Sequence, residues 1–293
     1  MTDTIANTVT THRSTRRVAI KRSRRTLYYA LIVVTILANL FPFYWMVTTS
    51  LKSWSGIFQY PPTFLPIPVD FTAYLEIFDK TNLWLWIVNS LKVCVPTTLL
   101  AMVFATTGGY ALSRFEFRGR TAAGMLILIT QMLPGTLLII PIYLMFKSMN
   151  LLDTFVGLIA SYATFGLPFS IWMLKGYFDS IPKELEEAAA VDGCTRVGTL
   201  MRIVLPLSLP GLTVTAMFAF VLGWNDLVWA ITLVTDPNMR TNAVGLASFV
   251  GEYGTPWAQI MGASAISSLP ILLLFLFLQR YLLYGLTAGA VKG

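Results

Sequence analysis

The sequence predicts an all-α, polytopic membrane protein with six transmembrane helices, and three observations carry that prediction. Of 293 residues, 56% are hydrophobic and only 12% charged, whereas soluble domains carry about a quarter charged residues. The apolar residues gather in runs of about twenty or more, the length a helix needs to cross a bilayer's hydrocarbon core. Finally, the Lys and Arg residues are shared unequally between the loops that join those runs, as loops on two sides of a membrane are.

Residues 1–26 are polar and rich in Thr and Arg, and are expected to form a mobile basic tail. The apolar run that follows is about twenty residues long and lacks a small-x-small cleavage site, so it reads as a membrane helix rather than a removable signal. This first span covers 27–47 and is interrupted by Asn39 and Pro42. Residues 52–82 carry Pro61, Pro62, Pro66 and Pro68 and are not helical throughout. The second span is 83–112, its uncharged part beginning after Lys92. Arg114, Arg118 and Arg120 form a basic turn before the third span, 121–146, which contains Gln131, Pro134 and Pro141. A turn at 150–153 leads to the fourth span, 155–174. A polar segment over 180–206 precedes the fifth span, which ends near Val234. The loop 235–258 then leads to the sixth span, 260–283. The domain division is therefore a tail over 1–26, a membrane domain over 27–283 and a small, flexible tail over 284–293.

Orientation follows from the basic residues. With the N-terminus inside, sixteen Lys and Arg fall on the inner side and five on the outer, which places both termini and the segment 180–206 in the cytoplasm. A net charge of +7 invites a nucleic-acid reading, which the location of the charges argues against. Seven of those charges, at Arg13, Arg16, Arg17, Lys21, Arg22, Arg24 and Arg25, stand just before the first span, where they read as an orientation signal and an anchor to anionic lipid. No nucleic-acid partner is expected. Cys94 and Cys194 do not form a disulfide framework.

The segment 180–206 is the long charge-rich interval between two apolar ones, with Glu184, Glu186, Glu187, Asp192, Arg196 and Arg202. Pro182 and Gly193 bracket a short helix of roughly a dozen residues, too short and polar to span. Its acids lie in the N-terminal half, where the helix dipole favours them. Gly193 is expected at positive φ as the C-terminal cap. Ala188, Ala189 and Ala190 offer a small-side-chain surface. Val197, Leu200, Met201 and Val204 recur at i, i+3, i+4 and i+7, so a second, amphipathic helix follows. The result is an elbow lying at a membrane surface; the plainer alternative is a loop that only connects two spans.

Glu187-Ala188-Ala189, Gly193, Ile203 and Leu205-Pro206 together match, at the right spacing, a pattern that resembles the EAA motif of ABC-importer permeases. The resemblance implies a type I importer permease fold, with the elbow as a coupling helix that docks into a cleft on a cytoplasmic ATPase. Glu187, Ala188, Ala189, Asp192, Gly193 and Arg196 are the coupling residues it marks. The end of the chain, 285–293, together with Asn89-Ser90-Leu91-Lys92 and Trp224-Asn225-Asp226, is similar to maltose-type sugar permeases, specifically the second, six-helix partner of the pair. The likeness covers essentially the whole chain after residue 26.

That resemblance implies a heterodimer with a second permease, two copies of the ATPase, an extracytoplasmic binding protein, and a di- or oligosaccharide as cargo. ATP and Mg would be bound by the ATPase, with no cofactor in this chain, in the cytoplasmic membrane of a bacterium or archaeon. It also implies that the loop 235–258 meets the binding protein, with Asn242, Gly245, Gly251 and Tyr253 as contacts.

Asp226 is an acid well within an apolar run, and an intramembrane acid is by default a functional candidate. Beside it stand Asn225 and Trp224, and a Trp-Asn-Asp cluster suits sugars, which bind through hydroxyl hydrogen bonds and stacking on aromatic faces. The alternative is an acid near the outer interface or satisfied by a neighbouring helix. Asn89 and Gln131 are further path candidates, although buried amides often simply link helices. His12 is the chain's one histidine, and no metal set, phosphate loop or nucleophile–base pair appears. The competing readings are a permease for glycerol-phosphate or another polyol, and a membrane channel or membrane enzyme. A phosphorylated cargo would favour cations on the path, where Lys92 alone is visible.

Overall fold

The computed structural model describes the backbone of residues 3–251 and 254–290, and side chains over 25–251 and 254–282. Among the described residues, four helices are long and apolar enough to cross a membrane, at Arg25–Ser50, Leu83–Arg114, Phe155–Asp179 and Trp257–Leu282. Two bent pairs, Arg120–Met132 with Gly135–Ser148 and Arg196–Leu207 with Leu209–Trp224, make six crossings if each pair is one span.

The first helix, α1 (Asp3–Ser50), starts well before the apolar run, so the expected separate tail over 1–26 is helical from Asp3. Neither Gly nor Pro occurs before Pro42 to stop it propagating back from the span. The side chains of His12 and of the basic residues from Arg13 to Arg24 lie outside the described residues. In the proline-rich stretch only α2 (Trp54–Ile57) and α3 (Thr72–Lys80) form. The helix α4 (Leu83–Arg114) then matches its expected span.

The third span departs from expectation, because α5 (Arg120–Met132) and α6 (Ile139–Ser148) meet at 87° across a 3-10 turn. Leu133, before Pro134, is extended at φ −76 and ψ 121, the conformation a following proline imposes. A long continuous helix follows, α7 (Phe155–Asp179). After the elbow helices α8 (Glu184–Val191) and α9 (Arg196–Thr199), a π-turn over Leu200–Val204 leads into α10 (Leu205–Leu207). The chain then turns by 81° into α11 (Leu209–Trp224). Pro206 and Pro210 bring no N–H to the ladder on either side of that break. The expected fifth span thus ends at Trp224, and α12 (Val228–Leu233) is a separate short helix. The loop 235–258 is not merely flexible, since it contains α13 (Asn242–Ala247). Finally α14 (Trp257–Ala290) carries helix through most of the expected flexible tail, with residues 291–293 outside the described ones.

The bundle is centred on α4 packed along α7, with α11 against both and α14 against α11 and α1. The backbones of α4 and α7 approach closely at Gly109, where a Cβ would stand 3.0 Å from the Lys175 N and 3.1 Å from the Ile171 O. Small residues at such crossings let membrane helices pack in the absence of a hydrophobic drive. Among the described residues there are three buried clusters. One gathers Phe178, Leu174, Leu200 and Val204 near the elbow; the others gather Leu158, Tyr162, Trp229 and Leu233, and Ile77, Trp86, Phe220 and Trp224. The α1 helix exposes its apolar residues almost all round, as a helix facing lipid or another subunit does.

Candidate functional site: the elbow and the spans it is tied to

The elbow is built by local rules. Glu184, Glu186 and Glu187 fill the first turn of α8, where the dipole favours acids. At its other end Gly193 has φ +82, donates its N–H to the Ala190 carbonyl at 3.1 Å, and lets Cys194 donate to Ala189 at 2.9 Å. That pair of bonds around a left-handed residue is the Schellman closure, and it turns the chain sharply. Thr195 restarts the helix by accepting from the Gly198 N–H at 3.1 Å.

One face of the elbow is fastened to the bundle. Arg114, the last residue of α4, donates from Nε to Glu186 Oε1 at 2.5 Å and from Nη2 to the Ile181 carbonyl at 2.9 Å. Tyr110 donates to Glu186 Oε2 at 2.7 Å. The Arg114 and Glu186 side chains are only 7% and 14% exposed. Ala189, three residues from Glu186 and so on the same helical face, is buried with Leu200 and Val204. The expected surface of alanines is therefore half a surface: Ala188 and Ala190 face out, Ala189 packs in. The opposite face is open. Glu187, Ala188, Asp192, Gly193 and Arg196 are exposed, as are Val191, Val197 and Met201. Val197 and Met201 were expected on the apolar inner stripe; the π-turn at Leu200–Val204 shifts the helical phase, leaving only Leu200 and Val204 inside. Between the end of α4 and the elbow opens a cleft of about 570 Å³, lined among others by Arg114, Glu187, Cys194 and Arg196, whose guanidinium stands 5.1 Å from the Phe115 ring.

The expected path residues are dispersed. Asn89 is 1% exposed and spends both amide donors on the Asn238 and Arg240 carbonyls, at 2.8 and 3.1 Å. It fastens the loop after α12. Trp224 is in the core, stacked on Phe220. The Asp226 Oδ2 accepts from the Trp229 and Ala230 N–H groups, both at 3.1 Å, and so caps α12. Asn225 and Gln131 alone of the five are exposed, each donating to a backbone carbonyl.

The loop 235–258 also needs correction. Asn242 is 3% exposed, its N–H donating to Ser90 Oγ at 2.7 Å and its Oδ1 accepting from Ser267 at 2.6 Å. Gly245 is buried under Trp86, whose ring a Cβ there would strike. Neither is a surface contact, because α13 is wedged between α4 and α14. Gly251 is exposed, Val250 is 68% exposed, and Tyr253 lies outside the described residues.

At this far end Asp153, at φ +52, does work that its place in a short turn did not signal. Its carboxylate accepts from the Thr235 and Asp236 N–H groups at 2.6 and 2.9 Å and from the Thr235 hydroxyl at 2.8 Å. Those donors, the Asp236 N–H foremost, hold its carboxyl below the usual carboxylate range. Glu76, paired with Lys80 at 2.6 Å and accepting from Gln259 at 2.5 Å, is likewise lowered, chiefly by Lys80.

The sequence pattern of the family described as "Binding-protein-dependent transport system inner membrane component" matches residues 98–286. The chain is 37% identical over 261 residues to the diacetylchitobiose uptake system permease protein DasC of Streptomyces coelicolor, covering 89% of this chain and 95% of that one. It is also 37% identical over 262 residues to the trehalose/maltose transport system permease protein MalG of Thermococcus litoralis, covering 87% and 92%. Its fold matches a chain of a bacterial ABC transporter involved in import of the acidic polysaccharide alginate, with a TM-score of 0.74, 25% identity, and 89% and 96% of the two chains covered.

Proposed function

This chain belongs to the family of binding-protein-dependent transport-system inner-membrane components, and we propose that it is the permease of an ATP-driven importer whose cargo is a di- or oligosaccharide. Membership makes it a multi-pass transport subunit with the type I importer permease fold rather than an enzyme. The observation that carries the finer reading is the two-sided elbow, clamped to α4 through Glu186 and open through Glu187, Ala188, Asp192, Gly193 and Arg196. A rigid lever with a free contact face suits transmission of motion from an ATPase. Val191, Val197 and Met201 add apolar surface that a protein cleft would cover.

In this reading the elbow and both termini are cytoplasmic, as the distribution of Lys and Arg supports. Two ATPase copies bind ATP and Mg, and a second permease completes a heterodimer around the path. Asn225 and Gln131 are the path amides still open to a sugar's hydroxyls. On the far side, the exposed stretch at Val250 and Gly251 meets the extracytoplasmic binding protein. The relatives named for diacetylchitobiose and for trehalose and maltose support a carbohydrate. The test is uptake into proteoliposomes holding the chain with its permease, ATPase and binding-protein partners, offered labelled diacetylchitobiose, trehalose, maltose and glycerol 3-phosphate. ATP-dependent entry of a sugar is expected. Entry of glycerol 3-phosphate alone, or flux without ATP, would refute the carbohydrate or the importer reading respectively.

A further inference from the structure

At the elbow's end of the bundle, a groove of about 430 Å³ lies between the start of α5 and the ends of α4 and α7. Its polar lining is Arg120, Lys175 and Thr121, and its apolar walls include Met125, Leu128 and Trp172. Gly124 lines the groove with room beside it, since a Cβ there would meet only Trp172, at 3.7 Å. Lys175 is paired with Asp179 at 2.6 Å and stands 5.4 Å from the Trp172 ring centroid. Arg120 donates to the Ser113 carbonyl at 3.3 Å and makes no ion pair among the described residues. Asp179 thus offsets one of two cations and leaves the groove positive. Trp172 Nε1 is buried yet finds no acceptor among the described residues. The outward side of α5 continues apolar, with Met125, Leu126 and Ile129 all more than half exposed.

We propose that this groove binds one anionic phospholipid, its phosphate beside Arg120 and Lys175 and its acyl chain along Met125 and Leu128. Cations at the ends of membrane helices, above apolar walls, are what such a headgroup needs. The apolar walls distinguish a lipid from a free phosphate, which they would not recognise. The proposal rests on the chain's place in a membrane and not on its cargo or on the role of the elbow.

The test is native mass spectrometry of the full complex, delipidated in a neutral detergent and titrated with phosphatidylglycerol, phosphatidylethanolamine or soluble glycerol 1-phosphate. Phosphatidylglycerol should bind more tightly than phosphatidylethanolamine. Arg120→Gln should weaken it by about fivefold, the worth of one basic residue at an anionic surface, while Arg120→Lys keeps it. Gly124→Leu, which fills the groove and leaves both cations in place, should also lose it. Equal binding of both lipids, or unchanged binding in Arg120→Gln and Gly124→Leu, would overturn the assignment. So would glycerol 1-phosphate binding as tightly as the lipid, or a photoreactive side chain at Leu128 labelling another protein chain instead of lipid.

Discussion

Arg114 and Glu186 meet across 72 residues of sequence, Nε to Oε1 at 2.5 Å, and this pair turns a surface elbow into an extension of the second span. Each partner is further held, Arg114 by the Ile181 carbonyl and Glu186 by the Tyr110 hydroxyl. Removing one leaves the other buried with that neutral partner but without its counter-ion.

Arg114→Met should therefore destabilise the folded elbow by about 3 kcal/mol, the usual cost of breaking a buried pair. Amide hydrogen exchange over 184–204 in the purified complex should quicken, while exchange in the middle of α4 is unchanged. Protection equal to that of the unaltered chain would show that packing of Ala189, Leu200 and Val204 holds the elbow without the pair.

Glu187 lies beside Glu186 on α8 but points away and is exposed, so Glu187→Lys should leave folding and insertion intact. It should either release the ATPase during purification or permit ATP hydrolysis without transport. Gly193→Asp adds a cost of about 1 kcal/mol at positive φ and reshapes the turn; no atom stands within 4 Å of its Cβ position, so conformation and not crowding is the cause. Normal assembly with fully coupled transport in both variants would remove the elbow from the coupling path.

Asp153 has its carboxyl below the usual range in the folded chain, so its contribution is present above the ordinary value of about 3.9 and is lost as pH falls through the lowered one. Exchange at the Thr235 and Asp236 amides should accelerate on acidification below about pH 4. In Asp153→Asn the acid dependence at these amides should vanish and their protection be low at neutral pH. A persisting acid transition would assign it to another carboxylate.

Topology can be read with single cysteines in a chain whose Cys94 and Cys194 are replaced. Cysteine at Val250 should react with an impermeant thiol reagent from outside the cell, and cysteine at Val191 only after the membrane is opened. Cysteine at Asn242 should be protected on both sides because that position is buried. Reversed access at Val250 and Val191 would invert the orientation.

Run length and composition by themselves determined that this chain crosses a membrane in helices, because hydrocarbon admits little else and a crossing needs a fixed length of apolar sequence. The turn at Gly193 was equally legible, since a left-handed cap after a short acidic helix calls for glycine whatever surrounds it. Tertiary structure decided what distance along the chain conceals. Glu184, Glu186 and Glu187 are chemically alike, and only the position of Arg114 and Tyr110 selects Glu186 as the one turned inward. Asn89 is claimed by carbonyls of Asn238 and Arg240, and Asn242 by Ser90 and Ser267. These polar side chains looked free for substrate or partner in the sequence. Burial in a medium without water obliges them to find partners, and the partners are supplied by segments that only the fold brings near.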